Sequence, residues 1–275
     1  MRKLLAIVCA LCMGMTLQAQ KPAEGAYAVL DSLALNYMGA IQMEDTETKQ
    51  HECDYLLSSV KDSLLRQHLA VSLFNYYREA PVMGDEAVAI WLYDTWFAKG
   101  RVAFPGEFEG LDAQMFCNMN RNTLLGMDAP VLKARKPCGG RVTVPVAGAT
   151  TLLWFYDTAC SKCVVEAKVF PGVLESAVDF PLTVVAFYAG QDKKAWRAFR
   201  RNFKVKNPNV KLLHCWDPEV DSDYLRLYGV ISTPKMYLVA PEGSIIGRRL
   251  ELESLQQLLP TAKQIHGMFA VQNSK

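Results

Sequence analysis

Residues 151–163 read TLLWFYDTACSKC, an almost entirely apolar run that leads into two cysteines separated by two residues. The first six of these residues form a short run with little polar character, which predicts a strand buried on both faces of a sheet. After the cysteines, Phe170, Leu174 and Ala177 recur at helical spacing, which predicts an amphipathic helix. The motif Cys160-Ser161-Lys162-Cys163 is therefore expected at a strand-to-helix junction.

A cysteine at such a junction sits at the N-terminus of a helix. The unpaired N–H groups and the positive end of the helix dipole there favour a thiolate over a thiol. Sites of this kind lower a thiol pKa to roughly 3.5–7.5, and we expect the positive charge of Lys162 to act in the same direction. The motif therefore indicates redox chemistry. Half of a zinc site and two buried thiols are the alternatives, but the sequence has no second Cys-x-x-Cys and no His-x-x-x-His.

The N-terminal nineteen residues have the pattern of a secretory signal peptide. Arg2 and Lys3 form a basic region, the apolar stretch from Leu4 to Leu17 follows, and Ala19 ends a small-residue cleavage site. The apolar stretch is too short to span a bilayer comfortably. We therefore expect residues 1–19 to be cleaved and the protein to be exported to the periplasm, with an uncleaved membrane anchor as the alternative.

Composition places the chain among well-cored globular proteins, with 51% hydrophobic and 21% charged residues in 275. Loss of the signal peptide would remove two of the 30 basic residues and no acidic one, leaving 28 of each. A formally neutral chain argues against nucleic acid as the partner.

Six cysteines would remain after cleavage, in a compartment where disulfides persist. Beyond the Cys-x-x-Cys pair, four have no informative spacing: Cys53, Cys117, Cys138 and Cys215. They can pair in three ways or stay as buried thiols, and the sequence does not choose between these.

The chain changes character near residue 126. Residues 20–125 predict an all-α N-terminal domain with aromatic-rich helices at 61–79 and 84–99. Residues 126–275 alternate strands and helices. They open with a hairpin around residues 137–140, continue with strands at 182–188 and 210–216 and a helix at 192–203, and close with a hairpin and a last helix. That order predicts an α/β fold, a central mixed sheet with flanking helices.

This second part resembles the thioredoxin-like superfamily, and in particular the TlpA/ResA-like thiol-disulfide oxidoreductases of the cell envelope. The resemblance covers residues 126–269. It rests on Gly126-Met127-Asp128-Ala129-Pro130 before the first hairpin, on Cys160-Ser161-Lys162-Cys163 after a buried strand, and on Ile231-Ser232-Thr233-Pro234 before the closing hairpin. The helical N-terminal part loosely resembles a poorly characterised domain that precedes thioredoxin modules in some exported proteins.

The resemblance implies a set of residue roles. Cys160 would attack a substrate disulfide and Cys163 would resolve the mixed disulfide. Pro234 would be cis, so that the Thr233 backbone can pair with the bound substrate, and Glu166 would tune the ionisation of the cysteines. The family needs no cofactor and no metal, its partners are protein thiols and disulfides of the envelope, and a membrane-bound electron donor is expected.

Three positions depart from the family pattern. Thr158-Ala159 replaces an aromatic residue before the first cysteine, Lys168 replaces a helix-kinking proline, and Ser161-Lys162 lacks the proline that is frequent between the cysteines. These changes leave the expected fold intact, but they put the redox potential and the choice of partner in question.

Two other functions stay open at this stage. The chain could be a non-catalytic binding or scaffold protein, because a fold does not determine a function. It could also be a Cu(I) metallochaperone that holds the ion with both cysteines and with Met236 or His214. Finally, the basic run between residues 193 and 204 is interleaved with aromatic residues, which predicts an amphipathic helix with a solvated positive face and, as the alternative, a docking site for a partner.

Overall fold

The computed structural model describes residues 25–79 and 82–272. The predicted signal peptide at residues 1–19 lies outside the described residues. The chain divides into two compact units between Cys117 and Asn118. Across the described ranges, no helix combines the length and the apolar character needed to cross a bilayer.

The first unit is built from helices. They are α1 (Ala26–Ala40), α2 (Thr46–Ser59), α3 (Ser63–Arg78), α4 (Glu86–Leu92), a π-helical turn (Tyr93–Phe97) and α5 (Glu107–Asn120), which contains the boundary. Asp45 and Asp62 start α2 and α3, because each carboxylate accepts hydrogen bonds from backbone N–H groups of the first turn. The helix predicted at 84–99 instead widens into the π turn, which places both Trp96 and Phe97 in the core.

Aromatic packing holds this unit together. The Phe74 ring is fully buried and meets Phe97, Phe104 and Phe116 edge-on, with centroid distances of 6.0, 5.4 and 6.1 Å. Edge-to-face pairs of this kind contribute about 0.5–1.5 kcal/mol each beyond the area that they bury. The aromatic residues of the first unit therefore serve as its core.

The second unit contains one seven-stranded sheet. Its elements are β1 (Leu132–Arg135), β2 (Arg141–Val144), β3 (Thr151–Tyr156), α6 (Ser161–Ala177), β4 (Leu182–Tyr188), α7 (Lys193–Asn202), β5 (Val210–Trp216), α8 (Tyr224–Leu227), β6 (Lys235–Val239), β7 (Ile245–Arg248) and α9 (Leu252–Gln272). The strand order is β2-β1-β5-β4-β3-β6-β7, with β3, β4 and β5 parallel and the outer strands antiparallel. The predicted α/β architecture and both predicted hairpins are confirmed.

Strand β3 is buried at every position because helices and loops cover both faces of the sheet. Trp154 points to the face that carries α6 and α7, where its ring contacts Phe170 and Phe203. Phe155 points to the opposite face and contacts Phe187 and Tyr228. Consecutive strand residues alternate between faces, so an unbroken apolar run is what a central strand covered on both sides requires.

Candidate functional site

The ends of two neighbouring strands bring the Cys-x-x-Cys motif and the Thr-Pro segment together. β6 runs antiparallel to β3, with Lys235 opposite Phe155. The residues that follow β3 and those that precede β6 therefore lie at the same edge of the sheet. At that edge the Cys160 Sγ lies 3.1 Å from the Thr233 backbone oxygen, and the Thr233–Pro234 peptide bond is cis, as the family resemblance implied.

Cys160 is the N-cap residue of α6. Its sulfur accepts a hydrogen bond from the backbone N–H of Cys163 at 3.1 Å, the interaction that a side chain at a helix start makes with an unpaired backbone donor. Burial of the thiol raises its pKa, but hydrogen bonds from the side chain and backbone of Cys163 and from the Thr233 side chain outweigh burial. The pKa of Cys160 therefore lies below its ordinary value.

Cys163 has the opposite properties. It is 1% exposed, whereas Cys160 is only half-buried. Burial, together with the hydrogen bond to Cys160, raises the pKa of the Cys163 thiol to about 12. One sulfur of the pair is thus accessible and readily ionised, and the other is covered and stays protonated at neutral pH.

Glu166 lies one helical turn after Cys163, on the buried side of α6. The side chain is 8% exposed, and its Oε2 atom is buried without a hydrogen-bond partner. Burial raises the pKa of this carboxyl group, the charge of Lys162 opposes the rise, and Glu251 adds to it. An unsatisfied buried carboxylate oxygen is costly, so Glu166 is an unusual buried residue on the same helix as the covered thiol.

The charge of Lys162 interacts with Cys160 as the sequence suggested, but Lys162 shares that charge with a nearby carboxylate. Its ammonium group forms an ion pair with Glu251 at 2.7 Å, and both side chains are exposed. The hydrogen bond to Glu251 raises the pKa of Lys162. Because a nearby carboxylate compensates its charge, the lowered pKa of Cys160 depends mainly on the hydrogen bonds at the helix start.

Strand β6 fixes the loop that carries Thr233 and Pro234, a feature that the sequence analysis missed. The Tyr237 hydroxyl donates to the Tyr228 carbonyl at 2.6 Å, and the Lys235 ammonium donates to the Gly229 carbonyl at 2.5 Å. Both side chains belong to the strand that directly follows the loop, at positions that share one face. Burial lowers the pKa of Lys235 to about 8, and repulsion from Arg248 and Arg249 contributes.

The remaining candidate residues lie in other parts of the chain. His214 lines a surface depression together with Cys138 and Cys215, and Met236 is buried opposite Trp154 in the sheet. Cys53, Cys138 and Cys215 carry free thiols, and of these Cys138 alone is exposed. A second cis bond, Val144–Pro145, was not predicted.

Within the described residues, one acidic group has the geometry for a cation, formed by Asp217, Glu219 and Asp221. Arginines already occupy two of these carboxylates, since Arg135 pairs with Glu219 at 2.5 Å and Arg141 with Asp221 at 3.1 Å. The Asp217 carboxylate accepts backbone and hydroxyl hydrogen bonds from its own turn. The three carboxylates therefore stabilise their own turn and connect it to the β1–β2 hairpin through two arginines.

Comparison with solved structures identifies the fold. A thioredoxin-like protein from Bacteroides caccae superposes with a TM-score of 0.67 at 13% sequence identity, covering 94% of this chain and 93% of the other. Its similarity shows that the chain has a thioredoxin-like fold, as the sequence motifs indicated. No family model matches the sequence, and no curated protein matches it.

Two further structures cover the second half of the chain. The thioredoxin domain of a thiol-disulfide oxidoreductase from Bacteroides vulgatus aligns at 20% identity and a TM-score of 0.44, over 50% of this chain and 96% of that domain. A thiol:disulfide interchange protein from Bacteroides sp. aligns at 22% identity and a TM-score of 0.43, over 51% of this chain and 90% of the other.

Proposed function

We propose that the protein is an exported thiol-disulfide oxidoreductase of the TlpA/ResA-like type, which exchanges disulfides with proteins of the cell envelope through Cys160 and Cys163. One observation supports this function above all others. The Cys160 thiol is accessible, has a lowered pKa and caps a helix, where its sulfur accepts a hydrogen bond from the backbone N–H of Cys163. The Cys163 thiol is buried and has a raised pKa. Nucleophilic attack needs the first property, and delayed resolution needs the second.

The first step forms a mixed disulfide. The Cys160 thiolate attacks one sulfur of the substrate disulfide, a bond forms between the two sulfurs, and the substrate's other sulfur leaves as a thiolate that takes up a proton. In the resting dithiol, the Cys160 thiol donates its hydrogen to the Thr233 carbonyl. Loss of that proton breaks this hydrogen bond, and the backbone N–H of Cys163 then stabilises the thiolate.

The second step releases the substrate. Cys163 loses its proton and attacks the Cys160 sulfur, the Cys160–Cys163 disulfide forms, and the second substrate sulfur leaves as a thiolate. The substrate gains two electrons and the protein loses two. A thiol with a pKa of about 12 needs a proton acceptor at neutral pH. Glu166, buried one turn along the same helix face, is the acceptor that we assign.

The proposed location follows from the sequence of residues 1–19, which has the pattern of a signal peptide. In the periplasm, the partners would be envelope proteins with thiols or disulfides. A dithiol that reduces substrates must be regenerated, so a membrane-bound electron donor completes the proposed cycle.

The proposed function predicts a reversible two-electron couple between Cys160 and Cys163. Equilibration of residues 20–275 with mixtures of reduced and oxidised dithiothreitol should convert both thiols together into one intramolecular disulfide, because the two sulfurs lie at one helix start. Alkylation followed by mass spectrometry of the two positions measures the conversion. Persistence of both thiols under oxidising mixtures would refute the function.

Replacement of Glu166 by glutamine tests the assigned proton acceptor. We expect the decay of the mixed disulfide to slow about a hundredfold, the lower end of what a positioned base contributes, while its formation by Cys160 changes little. In the native protein the decay rate should rise with pH through a pKa above 4.5 and then level off, since burial raises the pKa of Glu166. Stopped-flow measurement of both steps across pH separates the two effects.

Glu251→Gln is the matched control for Glu166→Gln. It removes a carboxylate that also interacts with Lys162 but that is exposed. We expect normal decay at neutral pH, with a pH profile shifted slightly toward lower pH, because Glu251 adds to the raised pKa of Glu166. If both variants slow the decay equally, or if neither does, Glu166 is not the acceptor.

A further inference from the structure

The outer face of α7 and the turn after it carries an uninterrupted set of cations. Six basic side chains occur within twelve residues: Lys193, Lys194, Arg197, Arg200, Arg201 and Lys204. Five of them are exposed, and Arg200 is half-buried with its guanidinium 5.2 Å from the centre of the Trp196 ring. At about 1.5 Å per helical residue, the set spans roughly 16 Å.

None of these six side chains forms an ion pair within the described chain. Five other exposed cations of the second unit do form ion pairs, namely Arg135, Arg141, Lys162, Arg226 and Lys263, whereas scattered exposed lysines such as Lys133 and Lys211 form none with the residues that the structure describes. The Asp192 carboxylate at the start of α7 accepts the N–H groups of Lys194 and Ala195 as the N-cap, and its single negative charge offsets only one of the six positive ones. The positive charge on this face is therefore available to a partner.

The long side chains of this face leave open, positively charged depressions between them. An open depression of about 550 Å³ is lined by five of the six cations and by no other residue. A second depression of about 350 Å³ shares Arg200 and Arg201 with the first and adds Lys204. Together they form a basic groove that can receive several anionic groups at once.

The helix holds this groove rigidly, because its other face is part of the core. Trp196 packs on Trp216 with a centroid distance of 5.0 Å. Phe199 and Phe203 pack against Tyr156 and Trp154 at 4.3 and 5.3 Å. The aromatic side of α7 cannot turn outward to enter a membrane without loss of this core. Binding at the groove is therefore electrostatic.

The groove begins at the same edge of the sheet as the two thiols. β3 and β4 are parallel neighbours, so their C-terminal ends lie side by side. The chain enters α6 from the end of β3 and α7 from the end of β4. The Tyr188 and Thr158 hydroxyls, 3.1 Å apart, join these two strand ends. A chain bound along α7 therefore extends toward Cys160.

We propose that this groove binds an acidic segment of the protein partner whose disulfide is exchanged at Cys160. The inference rests on the proposed function and narrows its substrate class to proteins with a run of Asp and Glu residues near the exchanged disulfide. Carboxylates match both the charge of the groove and the forked geometry of its arginines. Attraction of this kind raises association rates by about 10–10³-fold and falls steeply with ionic strength.

The test compares two peptides of equal length, each with one disulfide, flanked either by Asp and Glu or by Ser and Lys. At low ionic strength we expect the native protein to reduce the acidic peptide at least about tenfold faster, and added salt should remove the difference. In Lys193→Glu/Arg197→Glu the preference should vanish or reverse. Lys133→Glu/Lys211→Glu changes two exposed lysines outside α7 by the same total charge and should keep the preference. If the α7 double variant and the control double variant lose the preference for the acidic peptide to the same extent, the inference is overturned.

Two further measurements separate this inference from the function on which it rests. Exchange with 2-hydroxyethyl disulfide, which is small and uncharged, should be the same in all three proteins, and its failure in all three would refute the exchange activity itself. Fluorescence anisotropy of the acidic peptide with serine in place of cysteine measures peptide binding alone, because that peptide cannot take part in disulfide exchange. Binding that Lys193→Glu/Arg197→Glu does not weaken, or groove-dependent binding of phosphatidylglycerol vesicles in place of the peptide, would overturn the inference.

Discussion

Cys160→Ser should reduce disulfide exchange to the uncatalysed rate, whereas Cys163→Ser should stop the reaction after one step and accumulate the mixed disulfide. The two outcomes differ because the two sulfurs differ. The Cys160 thiol is accessible and has a lowered pKa, so it is the attacking group. Cys163 is 1% exposed with a pKa of about 12, so it acts only after the substrate is bound to its neighbour.

A defined disulfide peptide with a chromophore measures both effects. Peptide release gives the exchange rate, and intact-protein mass spectrometry gives the fraction that carries the peptide. Cys138→Ser is the control, because Cys138 is an exposed thiol that caps no helix, and it should leave both quantities unchanged. Equal amounts of trapped peptide in Cys160→Ser and Cys163→Ser would reverse or remove the assignment of the nucleophile.

The sequence predicted those parts of the fold that depend on local pattern. β4 and β5 occur at the predicted residues, 182–188 and 210–216, because short apolar runs between turn residues specify central strands. α7 also begins within one residue of its predicted start, where Asp192 supplies the N-cap. In these segments burial, capping and turn chemistry all favour the same structure.

The details of the site depend on contacts between distant residues, for which a single sequence carries no signal. Glu251, the partner of Lys162, lies 89 positions further along the chain. Its presence changes the electrostatic contribution that Lys162 was expected to make. The side chains of Lys235 and Tyr237 similarly bind loop carbonyls only because β6 pairs with β3. The family resemblance alone pointed to Glu166, and its unpaired buried oxygen carried no signal in the sequence.

The loop before Pro234 has little room to adjust where it begins. Gly229 has a φ of +57°, and a Cβ atom there would lie 2.2 Å from the Met119 backbone oxygen. The Gly229 carbonyl also accepts hydrogen bonds from the Lys235 ammonium and from the Ile231 N–H, at 2.5 and 2.9 Å. A side chain at this position therefore overlaps backbone, which cannot move away as a flexible side chain can, and the displaced loop ends at Thr233, whose oxygen contacts Cys160.

We expect Gly229→Ala to lower the free energy of unfolding by about 2–5 kcal/mol: roughly 1–2 for alanine in the left-handed region and the rest from steric overlap, for which about 1–3 kcal/mol is typical. That is a large share of the roughly 5–15 kcal/mol that stabilises a folded domain. Gly148→Ala is the matched control, since its φ is +72° and nothing lies within 4 Å of its Cβ. It should lose only the conformational part, about 1–2 kcal/mol. Urea denaturation of both variants gives the difference, and iodoacetamide alkylation of the folded protein should show a changed rate at Cys160 in Gly229→Ala alone, because Thr233 contacts the Cys160 sulfur. Equal losses of stability would mean that the contact with Met119 does not constrain the loop.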